Sequence, residues 1–421
     1  MEKAHMEIRI GQDGHTALIA NFWYEDRKGR EFSSFQYSDE WLESPISFAL
    51  TPSLPLDAEK RYFQGDNPFP LAVNDAMPDS WGQKVLQQFH RHGKEWKKLN
   101  KLLFLLGFPD SIRMGALRFR LADDDGPFLA IDNPSTFLGF PDLAGISSFI
   151  RAADKGLEDL SAFRRFVDSS SSLGGAKPKC TFMDGDGRLC MAKFHSANDD
   201  LPMCRMEVAT SKIAQICGIA VPESRVVEVE PNYPFSVFRR FDREGRLRIP
   251  FMSAQAMLGK PFGQDGTYVE IADAIRAHGA NPKMDLAALF QRIVFTILTS
   301  NYDDHLRNHG FLYQGNNKWG LSPMYDVNPK PTRSKNLKTP IADLADPSAS
   351  LEILLDHAFF FELGKDAAVV MVKGTAKSIK ESWEFQIKSH GLGDTGISLY
   401  RPAFEHEESR FALRLNGIKI K

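Results

Sequence analysis

The 421-residue sequence has no run of about 18 apolar residues, the length a helix needs to cross a bilayer. Met1 to His5 lead into no apolar signal segment. Both absences point to a soluble, cytoplasmic chain with no membrane partner. Charge of one sign is lacking too: 52 Lys and Arg stand against 54 Asp and Glu, for a formal net charge of -2. No block of like charges could act as a phosphate-binding arm, so the total gives no electrostatic support for direct nucleic-acid binding. Cysteine is sparse. Cys180, Cys190, Cys204 and Cys217 form no C-x-x-C pair and have no histidine at finger spacing, so free core thiols are expected and a zinc site is not. No internal repeat is visible, which argues against solenoids and propellers. G-x-x-x-x-G-K-[ST], H-E-x-x-H and G-x-S-x-G are missing, as are G-x-G-x-x-G and D-F-G. The first three absences remove the commonest rival phosphate and hydrolase sites, and the last two mean that any kinase here diverges from the common protein-kinase pattern.

What remains is ordinary globular composition, 43% hydrophobic and 25% charged, with length enough for two or three domains. Glu7 to Phe35 alternates like strands broken by turn residues at Asp26 to Arg30, which predicts a small sheet. A proline-rich stretch follows, with Pro52, Pro55, Pro68 and Pro70, and Pro78 to Leu86 opens a helix. Leu99 to Gly107 reads as a second helix and Met114 to Phe119 as a strand. The acidic run Ala122 to Gly126 reads as a loop, with a domain boundary between 125 and 165. A Ser/Gly-rich loop, Ser169 to Lys179, leads into strand, turn and strand over Cys180 to Phe194. Met206, Ala209, Ile213 and Cys217 recur at helical spacing before Gly218. Asp285 to Ser300 carries an unbroken apolar stripe and is a core helix.

Chemistry is concentrated after that helix. Asn301-Tyr302-Asp303-Asp304-His305-Leu306-Arg307-Asn308 is too polar to be buried without a task and belongs at a surface cleft. Asp303 and Asn308 have the D-x-x-x-x-N spacing of a protein-kinase catalytic loop, in which the acid accepts the substrate proton and the amide holds Mg²⁺. A hairpin over Gly310 to Leu321 then leads to Met324-Tyr325-Asp326, where a second metal carboxylate fits. Upstream, Lys193 lies in an apolar strand and needs an anionic partner, and Glu207 on the next helix could supply it. The loop from Ser172 to Lys179 would lie over phosphates, with Gly174 and Gly175 admitting close backbone approach. Taken singly, each feature has a plainer reading: a turn cluster, a snorkelling lysine, a solvated glutamate, a flexible linker. Their joint order is what favours phosphoryl transfer.

In that order the residues resemble the HipA family of bacterial toxin serine/threonine kinases. Met77 to Gly82 and Arg113 to Phe119 resemble its N-terminal region, Ser172 to Lys179 its phosphate loop, and Phe238 to Arg243 its hinge. Asn301 to Asn308 and Tyr325-Asp326 resemble its catalytic and metal motifs. The resemblance implies an α+β fold: a β-rich N-terminal subdomain over 1–125, a kinase N-lobe-like region over 126–240, and an α-helical C-lobe over 241–421. It implies ATP and Mg²⁺, with Asp303 as catalytic acid-base and Asn308 and Asp326 as metal ligands. Lys193, paired with Glu207, becomes the ATP-phosphate lysine. Ser172, Leu173, Gly174, Gly175, Ala176, Lys179, Arg239, Phe241, His305 and Asn308 fall on the nucleotide side. Ser172 is further implied as a self-inactivating autophosphorylation site, although the serine run 169–172 leaves open which hydroxyl is modified. Arg239 stands in place of an acidic hinge residue and Arg307 in place of a lysine, so only backbone contacts to adenine carry over. The partners implied are a helix-turn-helix antitoxin, DNA only indirectly through it, and a protein substrate such as an aminoacyl-tRNA synthetase. Two other classes remain open at this point, a nucleotide-binding pseudokinase or co-repressor and a small-molecule kinase.

Overall fold

A computed structural model describes residues 3–12, 15–92, 100–107, 109–122, 128, 138–154, 177–195, 201–228, 233–332 and 335–415. The alternating segments at the start form β1 (Lys3–Gln12), β2 (His15–Arg27) and β3 (Arg30–Tyr37). With β4 (Arg61–Gln64) and β5 (Arg118–Leu121) they make an antiparallel sheet in the order β4-β3-β2-β1-β5. Its inner face, with Met6, Ile8, Phe22 and Phe35, is fully buried. Against it lie α1 (Asp39–Glu43), α2 (Leu71–Asp75), α3 (Ser80–His92) and α4 (Lys101–Leu106). Asp79 starts α3 by accepting a 2.8 Å bond from the Gly82 amide, and Asn100 caps α4 by accepting from Leu103. The strand expected over Met114 to Phe119 begins only at Arg118. Gly115 has φ +74° and its Cα packs on Phe251, so the chain turns there before the ladder starts.

The second sheet runs β6-β7-β8-β10-β9, from β6 (Leu138–Gly139), β7 (Lys179–Met183), β8 (Leu189–Phe194), β9 (Ser224–Glu228) and β10 (Pro234–Arg239). Helix α5 (Asp142–Asp154) accompanies β6, and α6 (Met203–Ile216) packs against β10 and β9. The predicted strand–turn–strand is β7 and β8, in a register that sets Lys179 opposite Lys193. Two short strands, β11 (Arg243–Glu244) and β12 (Leu247–Arg248), follow the hinge.

The C-terminal part is helical. It comprises α7 (Ala254–Met257), α8 (Tyr268–His278), α9 (Pro282–Leu298), α10 (Leu351–Asp356), α11 (Lys365–Ser389), α12 (Gly393–Phe404) and α13 (Glu407–Arg414). A three-stranded sheet, β13 (Phe251–Ser253), β14 (Gly310–Gly315) and β15 (Lys318–Leu321), lies among them. The core helix expected from Asp285 starts earlier because Pro282 suits the first helical turn, where its missing N–H is no loss. This is a mixed α+β chain with a β-rich N-terminal region and a helical C-terminal part. Among the described residues no helix is long and apolar enough to cross a membrane. Cys180, Cys190 and Cys204 are buried free thiols and Cys217 is partly buried.

The N-terminal region is tied to the rest by buried charge. Asp242 binds Arg240 at 2.6 Å, Arg243 at 2.5 Å and the Gly115 amide at 2.7 Å. Arg240 also donates to the Ile112 and Arg113 carbonyls, and Asp110 takes Arg118 and Arg248. Burial raises the Asp242 carboxyl, but the two guanidiniums outweigh it and hold it at about 2. Removing one partner of such a cluster leaves buried charge uncompensated. Asp242→Asn should therefore lower the unfolding free energy by about 3–5 kcal/mol in urea titrations at neutral pH. A depressed carboxylate contributes fully above its unfolded pKa, roughly 3.9, and loses that contribution as pH falls toward the folded value. The gap between wild type and variant should hold between neutral and mildly acidic pH and narrow only below about 4; a gap that shrinks already near neutrality would contradict the assignment.

Candidate active site

Lys193 projects from β8, one residue before its end, and is almost fully buried. Its ammonium meets Glu207 of α6 at 2.5 Å and Asp326 at 2.8 Å. The sequence supplied the lysine and the glutamate as a pair; the structure adds Asp326 as a second acceptor. Burial disfavours the ammonium, but the two carboxylates outweigh that and raise its pKa, so Lys193 is charged at any ordinary pH. Burial likewise pushes Asp326 up, and Lys193 with the nearby Lys179 holds it down at about 2. For Glu207 burial prevails over Lys193 and the net shift is upward. Asp326 has φ +58°, a left-handed conformation that costs a non-glycine residue roughly 1–2 kcal/mol. Lys193 and the Asn328 side-chain amide, 3.1 Å from the same Oδ1, fix it there.

The polar cluster after α9 is split by the fold. Asp303 is at the surface, its side chain 62% exposed, with Lys330 Nζ 3.0 Å from Oδ2. Asp304 is buried instead, against the expectation that the whole cluster lines a surface cleft. Its task is structural satisfaction: Tyr268 Oη donates to Oδ2 at 2.5 Å, Thr296 Oγ1 lies 3.4 Å away, and Thr339 donates to its carbonyl at 2.6 Å. His309 lies 3.0 Å from Oδ2. Burial raises this carboxyl, and His309 more than offsets it. Asn308, buried, donates its side-chain N–H to the Asp303 carbonyl at 3.3 Å, closing the loop on itself. His305 is partly buried, its pKa lowered by burial and then by Arg307, and its Nδ1 has no partner among the described residues.

A narrow cleft between the second sheet and the Tyr325-Asp326 turn is lined by Met191, Lys193, Phe238, Arg239, Phe241, Tyr325 and Asp326. The Phe241 and Tyr325 rings lie 5.3 Å apart. At the hinge the Arg239 and Arg240 amides are taken by the carbonyls of Glu223 and Leu189. The Phe241 amide has no hydrogen-bond partner among the described residues. The Arg239 side chain is turned outward to Glu223. Lys179 is buried and bound to Asp79 of α3 at 2.6 Å, a contact across the module border that no local sequence pattern announces. Arg307 stacks on Phe262, its guanidinium carbon 4.6 Å from the ring, and lines a separate cleft of about 530 Å³ toward the N-terminal helices. Ser172, Leu173, Gly174, Gly175 and Ala176 lie outside the described residues.

Hard oxygen donors near an anionic cofactor suit Mg²⁺, which usually takes one or two protein carboxylates and completes its shell with phosphate oxygens and water. The Asp326 carboxylate and the Asn308 side-chain amide are donors of that type. Among the described residues no group of three or more His, Cys, Asp and Glu could hold a metal ion.

The HipA-like C-terminal domain model matches residues 171–383, half of the chain, and the HipA N-terminal domain model matches 15–120. The chain belongs to the HipA family. Its relatives include a candidate kinase of Haemophilus influenzae, 31% identical over 142 residues, which covers 30% of this chain and 41% of that protein. The candidate kinase Y4mE of Sinorhizobium fredii is 26% identical over 343 residues, 74% of this chain and 77% of the relative. The Shewanella oneidensis HipA, solved with HipB and operator DNA, superposes with TM-score 0.69 over 97% of this chain and 96% of its own, at 17% identity. That likeness extends the HipA fold over nearly all of this chain.

In this HipA-family chain, Lys193→Met would leave Glu207 buried without its paired cation, so Glu207 would take up a proton more readily folded than unfolded. A raised carboxyl stabilises below its unfolded pKa and loses that stabilisation as pH rises through the folded one. The variant should therefore lose more stability relative to wild type at pH 8 than at pH 5, read from urea midpoints. Equal losses at both would contradict the charge arrangement.

Proposed function

We propose that the chain is an ATP-dependent protein kinase that transfers the γ-phosphoryl group to a serine or threonine hydroxyl. The observation that carries this reading is the buried Lys193 ammonium bridging Glu207 and Asp326 beside a D-x-x-x-x-N loop. Phosphoryl transfer asks little covalent chemistry of a protein; positioning and charge neutralisation are what it needs. In this reading the Phe241 amide is the free hinge donor for the adenine edge, and Lys193 turns part of its charge to the α- and β-phosphates. Asn308 and Asp326 would hold Mg²⁺, which would supply charge neutralisation to the phosphates when bound. His305 Nδ1 is an unused polar atom on the same side. Asp303, exposed and facing solvent, accepts the proton of the incoming hydroxyl. That oxygen forms the new P–O bond, the bond to the β-phosphate oxygen breaks, and ADP leaves with the electron pair. The nucleotide loop is assigned to Ser172 through Ala176, with Lys179 held at its end by Asp79.

The candidate-kinase names of the relatives support the same reading. The Shewanella complex of HipA, HipB and operator DNA supports an antitoxin as partner and a toxin role; that the antitoxin is a helix-turn-helix protein and that DNA is reached only through it rest on family resemblance. A protein substrate such as an aminoacyl-tRNA synthetase rests on family resemblance.

Asp303→Ala should lower transfer of labelled γ-phosphate by ~10²–10⁴-fold, the usual cost of losing a positioned base, with folding intact because the side chain is exposed. Equal labelling by wild type and variant would sink the assignment. Phosphate on Ser172 would add roughly -1.5 to -2 charge within the nucleotide loop and expel it from the phosphates. Mass spectrometry after incubation with Mg²⁺ and ATP should find modification within 169–172, and modification exclusively elsewhere would refute the self-inactivation switch.

A further inference from the structure

Four residues after Asp326 the chain reads Pro329-Lys330-Pro331. Pro331 confines the backbone of Lys330 to extended conformations, and the surrounding segment is stapled to the catalytic loop. The Lys330 amide donates to the Ser300 carbonyl at 3.0 Å, the Asn328 amide to Asn301 Oδ1 at 2.9 Å, and the Thr332 amide to the Lys330 carbonyl at 2.7 Å. This framework delivers the Lys330 ammonium to 3.0 Å from Asp303 Oδ2.

Stability does not account for the contact. The side chains are 40% and 62% exposed, and an exposed pair of this kind contributes little to stability. The backbone bonds that hold the segment do not involve the lysine side chain. Other cations of the site are committed elsewhere: Lys193 to Glu207 and Asp326, Lys179 to Asp79, Arg307 to the face of Phe262. Lys330 has one acceptor, Asp303, among the described residues, and an ammonium has three donors.

We infer that Lys330 is a further catalytic residue, the cation on the acceptor side of the transferred phosphoryl group; this rests on the kinase reading. A hydroxyl delivered to Asp303 brings its oxygen toward an anionic phosphoryl group, with the Asp303 carboxylate behind it. Lys193 and the metal ligands act from the nucleotide side. Lys330 offsets the charge that accumulates between base and phosphoryl as the new P–O bond forms. One of its hydrogens stays on Asp303 while the others reach the equatorial oxygens. Electrostatic donors of this sort act on the transition state more than on bound substrate.

The test uses the full chain with Mg²⁺, γ-labelled ATP, and both self-labelling and myelin basic protein as acceptors, comparing wild type, Lys330→Met, Lys330→Arg and Asp303→Ala. Lys330→Met should lower kcat by about 10²-fold, leaving ATP affinity by titration and Tm unchanged. Lys330→Arg, which keeps the charge, should recover most of the rate. A Lys330→Met rate equal to wild type, with Asp303→Ala inactive, overturns the inference and leaves the kinase reading standing. A faster Lys330→Met would mean that the lysine masks the base, and a loss of ATP affinity or Tm would mean a holding or structural role; each overturns it. Failure of the wild type to transfer phosphate at all removes the kinase reading and the inference together.

Discussion

The Lys193 ammonium is the point on which the site depends. Three stretches distant in sequence meet there: β8, which carries it, α6 through Glu207, and the left-handed turn at Asp326. Desolvating a lysine and two carboxylates is expensive, and a well-packed apolar trio of the same volume would often be at least as stable. Such a cluster is weak evidence for stability and better evidence for a site whose charges have a use. Asp326 illustrates the coupling: burial would raise its carboxyl, and the cation it faces holds the pKa low.

Around this centre the N-terminal region acts as a frame. Asp79 of α3 holds Lys179 at the head of β7, directly opposite Lys193 in the ladder. The stretch Asp110 to Arg118 is clamped onto the hinge and the residues just after it by Asp242, Arg240 and Arg248. Each contact crosses between the β-rich region and the part that carries the chemistry. Displacement of one should therefore be felt in the other, because packed and ion-paired interfaces shift between discrete arrangements instead of deforming smoothly.

Periodicity and turn chemistry made most elements legible. The alternation of β1 to β3, the strand–turn–strand at β7 and β8, and the stripe of α9 are local signals that packing then reinforced. The Lys193–Glu207 pair was legible because a lone lysine in an apolar strand demands an anion. What local pattern could not give was tertiary. Nothing near Lys179 says that its partner lies one hundred residues upstream at Asp79. Nothing in Asp303-Asp304 says that one carboxylate faces water while its neighbour is sealed against Tyr268 and His309. The Met114 strand failed because Gly115 adopts a positive φ to pack on Phe251, a constraint set from outside the segment. Lys330 left a faint trace, a lysine between two prolines just past Asp326, whose contact with Asp303 appears only once the loop is folded.

The most direct test of the account is a crystal structure of the chain with Mg²⁺ and a non-hydrolysable ATP analogue. The account predicts the adenine at the Phe241 amide, Lys193 Nζ within hydrogen-bond distance of the α- or β-phosphate while still paired with Glu207, and the metal on Asp326 and Asn308. A nucleotide bound outside this cleft, or a Lys193 that keeps both carboxylates and touches no phosphate, would contradict it.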